Sequence, residues 1–153
     1  KIKGQCIGQL PGRTGPALQE QLQNCTNIPE DDPKNKLNLI HRCLNSAGNN
    51  VLVETKSAEG VVDTCRKYLD QKYWKYCYEG AVRYSILRNP LLNNSVPFQI
   101  CELAEKENKP TCYKGLGAGN YENYFSMEIL KDFCALVKEK EYSQDCFALS
   151  IPD

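Results

Sequence analysis

The chain has 153 residues, 19 of them basic and 19 acidic, so its formal net charge at pH 7 is zero. This length suits one domain, and the balanced charge excludes an overall field that would attract nucleic acid or an anionic membrane. Apolar residues make up 41% of the chain and come in runs far shorter than the ~20 residues of a transmembrane helix. We therefore expect a single domain with no transmembrane segment and no nucleic-acid partner.

Helix signals begin after the N-terminal region. Ser57 is a candidate N-cap, and the apolar residues of 61–69 recur at three- and four-residue steps, which is the helical period. The dipeptide Asn89-Pro90 predicts the end of the next helix. Residues 50–55 carry the only strand signal, and a single strand has no partner with which to form a sheet.

The C-terminal half continues the helical pattern. Pro97 suits the first turn of a helix, and residues 108–110 predict a break between two helices. Ser126 is a candidate N-cap before a run over 129–137 with helical apolar periodicity. Together these signals predict an all-α chain of about three to four helix–turn–helix units.

Nine cysteines fall into two alternating classes along the chain. One class is spaced by 37, 34, 35 and 34 residues, and the other by 40, 36 and 33 residues. The first class comprises Cys6, Cys43, Cys77, Cys112 and Cys146, and the second comprises Cys25, Cys65, Cys101 and Cys134. A period in the thirties is typical of stacked supersecondary units.

The cysteines also indicate a compartment. They accompany one histidine and include no C-x-x-C pair, whereas structural zinc sites usually have cysteines two to four residues apart. A disulfide framework in an oxidising compartment is therefore the better interpretation. Residues 1–15 contain no apolar stretch of signal-peptide type. We expect an extracytoplasmic protein (secreted, periplasmic or at the cell surface) from which a signal has been removed.

Cysteines of the first class open similar segments. Cys77 precedes Gly80 and Tyr84, and Cys112 precedes Gly115. Over roughly residues 40–150 this pattern resembles tetratricopeptide and Sel1-like αα-repeat proteins, in a disulfide-stapled extracytoplasmic version. The resemblance implies a short right-handed stack of αα hairpins; the alternative is an irregular disulfide-rich helical bundle. The expected parts of the single domain 1–153 are an irregular N-terminal cap 1–42 and repeats at about 43–76, 77–111 and 112–146.

Two regular disulfide pairings fit the spacing. The first joins Cys25–Cys43, Cys65–Cys77, Cys101–Cys112 and Cys134–Cys146, and the second joins Cys6–Cys25, Cys43–Cys65, Cys77–Cys101 and Cys112–Cys134. In the first pairing each bridge straddles a turn, which brings its cysteines within one helical turn of each other at ~1.5 Å per residue. In the second, Cys101 lies ~10 Å from its partner along the helix axis. We therefore predict the first pairing.

Cys6 is then the odd cysteine. We expect it to be a structural residue of the N-terminal cap or, alternatively, to form an intermolecular disulfide. Two N-x-S/T sequons begin at Asn24 and Asn93. Asn93 is the favoured glycosylation site, because Asn24 abuts a bridged cysteine.

No catalytic constellation is recognisable in the sequence. We interpret His41, the only histidine, as a structural or surface residue. The segment Gly115–Gly119 lacks a third glycine of the phosphate-binding kind, so we interpret it as close helix packing. Glu102 and Glu105 lie one helical turn apart beside Lys106, which indicates a solvated face. We expect no enzymatic activity, no cofactor and no metal.

The segment 66–88 combines aromatic and basic residues. Six of the ten Tyr and Trp residues lie between 68 and 84, and six basic residues lie between 66 and 88. Such a mixture is typical of interface hot spots, although a core role for some tyrosines beside a solvated basic face is the alternative. A turn of eleven residues cannot bury all its aromatic side chains, so at least one should face outward. The predicted partner-binding residues are Tyr73, Trp74, Tyr76, Lys72 and Lys75.

These observations predict a non-enzymatic extracytoplasmic protein–protein interaction module, a structural subunit or scaffold of a larger assembly. The faces of repeat stacks generally bind proteins, and copies of the chain itself are included among the expected partners. The alternatives are a secreted helical protein that binds a small ligand or a sugar, and a hydrolase with unrecognised carboxylates.

Overall fold

A computed structural model describes residues 15–88 and 95–148, and every regular element within these two ranges is helical. The all-α prediction is therefore confirmed. Residues 50–55, which carry the only strand signal, are helical, and Val51 and Leu52 are fully buried. The α-helices of the described ranges are α1 (Gly15–Thr26), α2 (Pro33–Thr55), α3 (Ala58–Tyr68), α4 (Trp74–Arg88), α5 (Ser95–Leu103), α6 (Lys109–Tyr124), α7 (Met127–Cys134) and α8 (Ser143–Phe147).

The helix boundaries follow local sequence signals. Ser57 Oγ accepts a hydrogen bond from the Gly60 N–H at 2.9 Å, and Ser126 Oγ accepts one from the Ile129 N–H at 3.3 Å, so both serines cap helices as predicted. Asp32 caps α2 in the same way. The predicted helix end at Asn89-Pro90 lies outside the described residues.

Within the described residues, the sequence of a helix, a short 3-10 turn and a second helix occurs three times. The 3-10 turns are Gln71–Tyr73, Lys106–Asn108 and Lys140–Tyr142. The acidic residues Asp70, Glu105 and Glu139 come directly before them. The same local structure therefore returns at intervals close to the period of the cysteines.

The sulfur atoms of four cysteine pairs lie at bonding distance. The pairs are Cys25–Cys43, Cys65–Cys77, Cys101–Cys112 and Cys134–Cys146, with Cα–Cα distances of 5.4, 6.1, 5.5 and 5.7 Å. These are the pairs that straddle turns. All eight cysteines are buried to 3% exposure or less, so the bridges are part of the apolar core. Four such cysteine pairs are compatible with an oxidising environment.

Helices α2, α4 and α6 pack side by side through small residues. At the contact of α4 with α6, Gly115 adjoins the Glu79 carbonyl and Gly119 adjoins the Arg83 carbonyl. Because both positions advance by four residues, the two helices run in the same direction there. A Cβ at Gly80 would stand 2.1 Å from the Asn45 carbonyl oxygen on α2, which leaves room only for glycine.

Two helix ends share an unusual turn. Lys56 follows α2 and Phe125 follows α6, and both residues have left-handed backbone angles, with φ of 57° and 48°. Each donates its backbone N–H to a carbonyl four residues earlier and is followed by a capping serine. The two turns are therefore equivalent in geometry, although one is made by a lysine and the other by a phenylalanine.

Candidate interaction surface

The five predicted partner-binding residues lie on the 3-10 turn 71–73 and the first turn of α4. Trp74 has an internal role, because its indole Nε1 donates to the Leu69 carbonyl at 2.9 Å and its ring lies beneath the Arg66 guanidinium. Tyr73, Trp74 and Tyr76 are all half-buried against the core. The turn therefore leaves each aromatic ring partly exposed, and none of the three stands free in solvent.

Lysines cover the tyrosine rings of this segment. The ammonium groups of Lys67, Lys72 and Lys75 lie 5.3, 5.0 and 5.2 Å from the ring centroids of Tyr68, Tyr73 and Tyr76. Within residues 15–88 and 95–148, none of these lysines forms an ion pair. We call these three lysine–tyrosine pairs the basic–aromatic surface.

His41 joins α2 to α4 beside this surface. Its Nε2 lies 2.9 Å from Glu79 Oε2, and its ring lies 4.4 Å from that of Tyr76, centroid to centroid. Burial, together with the nearby Glu79 carboxylate, raises the pKa of Tyr76. Since His41 binds side chains of α4, its position accords with a structural interpretation of the residue.

The prediction of a solvated face is wrong for Glu105, whose carboxylate binds other side chains. Its carboxylate accepts hydrogen bonds from Arg66 Nε at 2.6 Å, from Asn108 Nδ2 at 2.7 Å and from the Tyr78 hydroxyl at 3.2 Å. Burial opposes ionisation, but the bonds from Asn108 and Arg66 outweigh it and lower the pKa of Glu105. The helical spacing of Glu102 and Glu105 could not reveal these partners, because they come from other elements of the fold.

Glu139 repeats this arrangement one unit later. The Tyr113 hydroxyl and Lys109 Nζ each donate to Glu139 Oε1 at 2.8 Å, as Tyr78 and Arg66 do to Glu105. Burial and this bond to Glu139 raise the pKa of Tyr113 well above its ordinary value. Each tyrosine directly follows a bridged cysteine, so the bridge and the carboxylate fix the same turn.

The glycine-rich segment of α6 packs against neighbouring helices. A Cβ at Gly117 would meet the Cys146 carbonyl oxygen on α8, and one at Gly119 would meet the Arg83 carbonyl oxygen on α4 at 2.4 Å. The interpretation of Gly115–Gly119 as close helix packing is therefore confirmed.

Exposed apolar side chains cluster at the turn between α6 and α7, which the sequence analysis missed. Tyr124, Phe125, Met127 and Ile129 are all exposed, Phe125 to 76%. We call these four residues the Phe125 corner. The signal was present in the sequence, because an N-cap at Ser126 places Phe125 in the turn, outside the buried face of either helix.

The remaining predicted sites have simple placements. Asn24 lies half-buried in the last turn of α1, where its carbonyl accepts the Asn27 N–H. Cys6 and Asn93 lie outside the described residues.

Within the described parts of the chain, no group of three His, Cys, Asp or Glu side chains could hold a metal ion. No described helix is both long enough and apolar enough to cross a membrane.

Comparisons with known proteins add no relative. No protein-family model matches the chain, and neither a curated protein nor a solved structure matches it. The class of protein therefore rests on the fold and on the surfaces described above.

Proposed function

We propose that this protein is a non-enzymatic interaction module of an extracytoplasmic assembly, and that its basic–aromatic surface binds an acidic segment of a partner protein. The observation that carries the proposal is the set of three lysines without an ion pair in the described structure, each held over a tyrosine ring. Lysines held in this way lose less side-chain freedom when they bind a carboxylate than free lysines would.

The architecture supports a scaffold role. Three recurring helix–turn–helix units, parallel contacts between α4 and α6, and buried bridges fit a short stack of αα hairpins of the tetratricopeptide or Sel1 kind. Such stacks present extended faces to proteins. Four bridges that close loops of 11 to 18 residues would keep such a face rigid outside the cell.

The surface suits a protein carboxylate better than a sugar. Sugars stack on open aromatic faces, whereas here a lysine ammonium occupies one face of each of the three tyrosines. The ammonium groups offer charge-assisted hydrogen bonds to glutamate and aspartate side chains. An acidic peptide is therefore the ligand class that this surface fits.

Trp74 provides the test, because it is the only tryptophan in the chain and lies within this segment. We expect a glutamate-rich peptide to change the Trp74 fluorescence in a saturable way, with an affinity that falls as salt rises. The double variant Lys72→Glu/Lys75→Glu should reduce the affinity at least tenfold.

The matched control changes two exposed lysines elsewhere, Lys114→Glu/Lys138→Glu, and carries the same change in net charge. This control should bind the peptide as the wild type does. Equal losses in the two double variants would show that binding depends on net charge alone and would overturn the proposed surface. If the proposed surface is supported, purification of the native protein together with whatever binds it would identify the partner.

A further inference from the structure

Phe125 is unfavourable for the monomer in two ways. Its φ of 48° is a left-handed conformation, which non-glycine residues rarely adopt because the Cβ approaches the backbone. Its large apolar side chain is also 76% exposed, so it loses the benefit of burial. Strained residues of this kind cluster at functional positions.

The turn itself does not require a phenylalanine. Lys56 makes the equivalent turn after α2, also with left-handed backbone angles and a following serine cap. A hydrophobic staple would bury Phe125 against Leu130, four positions into α7. Leu130 is fully buried while Phe125 remains exposed, so the phenylalanine does not act as a staple.

The neighbours of Phe125 form an apolar surface around it. Tyr124, Met127 and Ile129 are each 43–54% exposed. Tyr121 supports the Phe125 ring from below in an edge contact, with 5.9 Å between ring centroids. The Phe125 corner thus groups four exposed aromatic and aliphatic side chains at one turn.

We propose that the Phe125 corner binds the same corner of a second copy of this chain, about a two-fold axis. In a two-fold contact the same surface lies on both sides, so its charges must be complementary to each other. The exposed side chains Glu128, Lys131 and Asp132 on α7 supply both signs beside the patch, so each copy can offer a base to the acids of the other. A formal net charge of zero removes the long-range repulsion that keeps charged proteins apart.

The patch is small compared with a standard protein–protein interface. Four partly exposed side chains supply a few hundred Å², less than the ~800 Å² per partner of a standard interface. We therefore expect a weak dimer, with a dissociation constant in the micromolar range or above.

Dimerisation through the Phe125 corner does not depend on the proposed acidic partner. Helix α6 begins at Lys109 and ends at Tyr124, so the corner lies ~24 Å along α6 from its N-terminal turn. Since α4 runs parallel to α6, the basic–aromatic surface at the start of α4 lies toward the other end of these helices. Both surfaces can be occupied at once.

Sedimentation velocity of the purified full chain, over a hundredfold range of concentration, tests the proposal. The sedimentation coefficient should rise toward that of a dimer for the wild type. Phe125→Lys should keep it at the monomer value over the whole range, and so should Met127→Lys, which leaves the strained turn untouched. Leu37→Lys, at a similarly exposed leucine in α2, should dimerise as the wild type does.

Phe125→Lys reproduces the residue of the equivalent Lys56 turn, so its helical circular dichroism should match that of the wild type. Wild-type protein that stays monomeric throughout the range would overturn the proposal. Dimerisation of both corner variants at the wild-type concentration would overturn it as well, since the contact would then lie elsewhere.

Discussion

Glu105 shows how single residues hold the turns of this fold. Its carboxylate receives Arg66 from α3, Tyr78 from α4 and Asn108 from the 3-10 turn before α6. Arg66 and Lys109 also donate to the last carbonyls of α5, which closes the C-terminal end of that helix. One partly buried charge therefore connects α3, α4 and the 3-10 turn before α6.

The lowered pKa of Glu105 predicts a loss of stability in acid. A carboxyl whose pKa is lower in the folded chain stabilises the fold above its unfolded pKa of about 4.3, and this stabilisation is lost as the pH falls through the folded pKa. Glu105→Gln should lower the free energy of unfolding at pH 7 by about 1–2 kcal/mol and flatten its decrease between about pH 5 and 2. Urea unfolding at a series of pH values measures both effects.

Glu20→Gln is the control for this experiment, because Glu20 is exposed on α1 and forms no ion pair in the described residues. It should change neither the stability nor the pH profile appreciably. A Glu105→Gln profile parallel to that of the wild type would show that Glu105 is not responsible for the acid dependence.

At the scale of elements, helix spacing depends on glycine rather than on large apolar side chains. A Cβ at Gly80 would lie 2.1–2.5 Å from backbone atoms of Asn45. A Cβ at Gly115 would lie 2.9–3.0 Å from the side chain and the carbonyl oxygen of Glu79. The first contact cannot yield without separating α2 from α4. The second can relax by a few tenths of an ångström.

This difference predicts graded effects of a single methyl group. Gly80→Ala should lower the free energy of unfolding by about 3 kcal/mol or more, because overpacking here meets backbone. Gly115→Ala should leave the free energy of unfolding nearly unchanged, because the gain of about 1 kcal/mol from alanine's helix propensity nearly offsets the cost of the milder contact. Urea denaturation of the two variants measures both, and equal effects would contradict the packing described for α2 and α4.

At the scale of the whole molecule, the bridges and the core are one structure. The bridged cysteines lie in the same apolar cluster as Tyr78, Tyr113 and Leu116. Each bridge closes a short loop, for which chain-entropy arguments give about 2–4 kcal/mol. That is a large share of the 5–15 kcal/mol typical of a domain.

Burial of the bridges predicts that reduction requires unfolding. In the native state, dithiothreitol should reduce the four pairs slowly, because no sulfur is open to attack. In urea above the unfolding midpoint all four should be reduced rapidly. Mass spectrometry of trapped thiols follows the reaction; eight thiols that appear at the same rate with and without urea would contradict the buried placement.

Sequence patterns anticipated the elements better than the site. The serine caps at Ser57 and Ser126 follow from residues within a few positions of each other. The break predicted at residues 108–110 falls slightly earlier in the structure, because α6 already begins at Lys109. The strand signal at 50–55 failed because short apolar runs fit either a strand or a buried helix face. Cys43 lies in the middle of the 23-residue helix α2, so no helix boundary separates residues 42 and 43.

The sequence by itself determined the helical class, the positions of the caps and the cysteine spacing, because these depend on local propensity and on period. Only the tertiary structure decided which side chains face solvent. It placed Trp74 under Arg66, gave Glu105 its three donors and left Phe125 exposed in a left-handed turn. Each of these outcomes depends on groups brought together from distant parts of the chain or on the backbone angle of one residue, and neither is written in the local sequence.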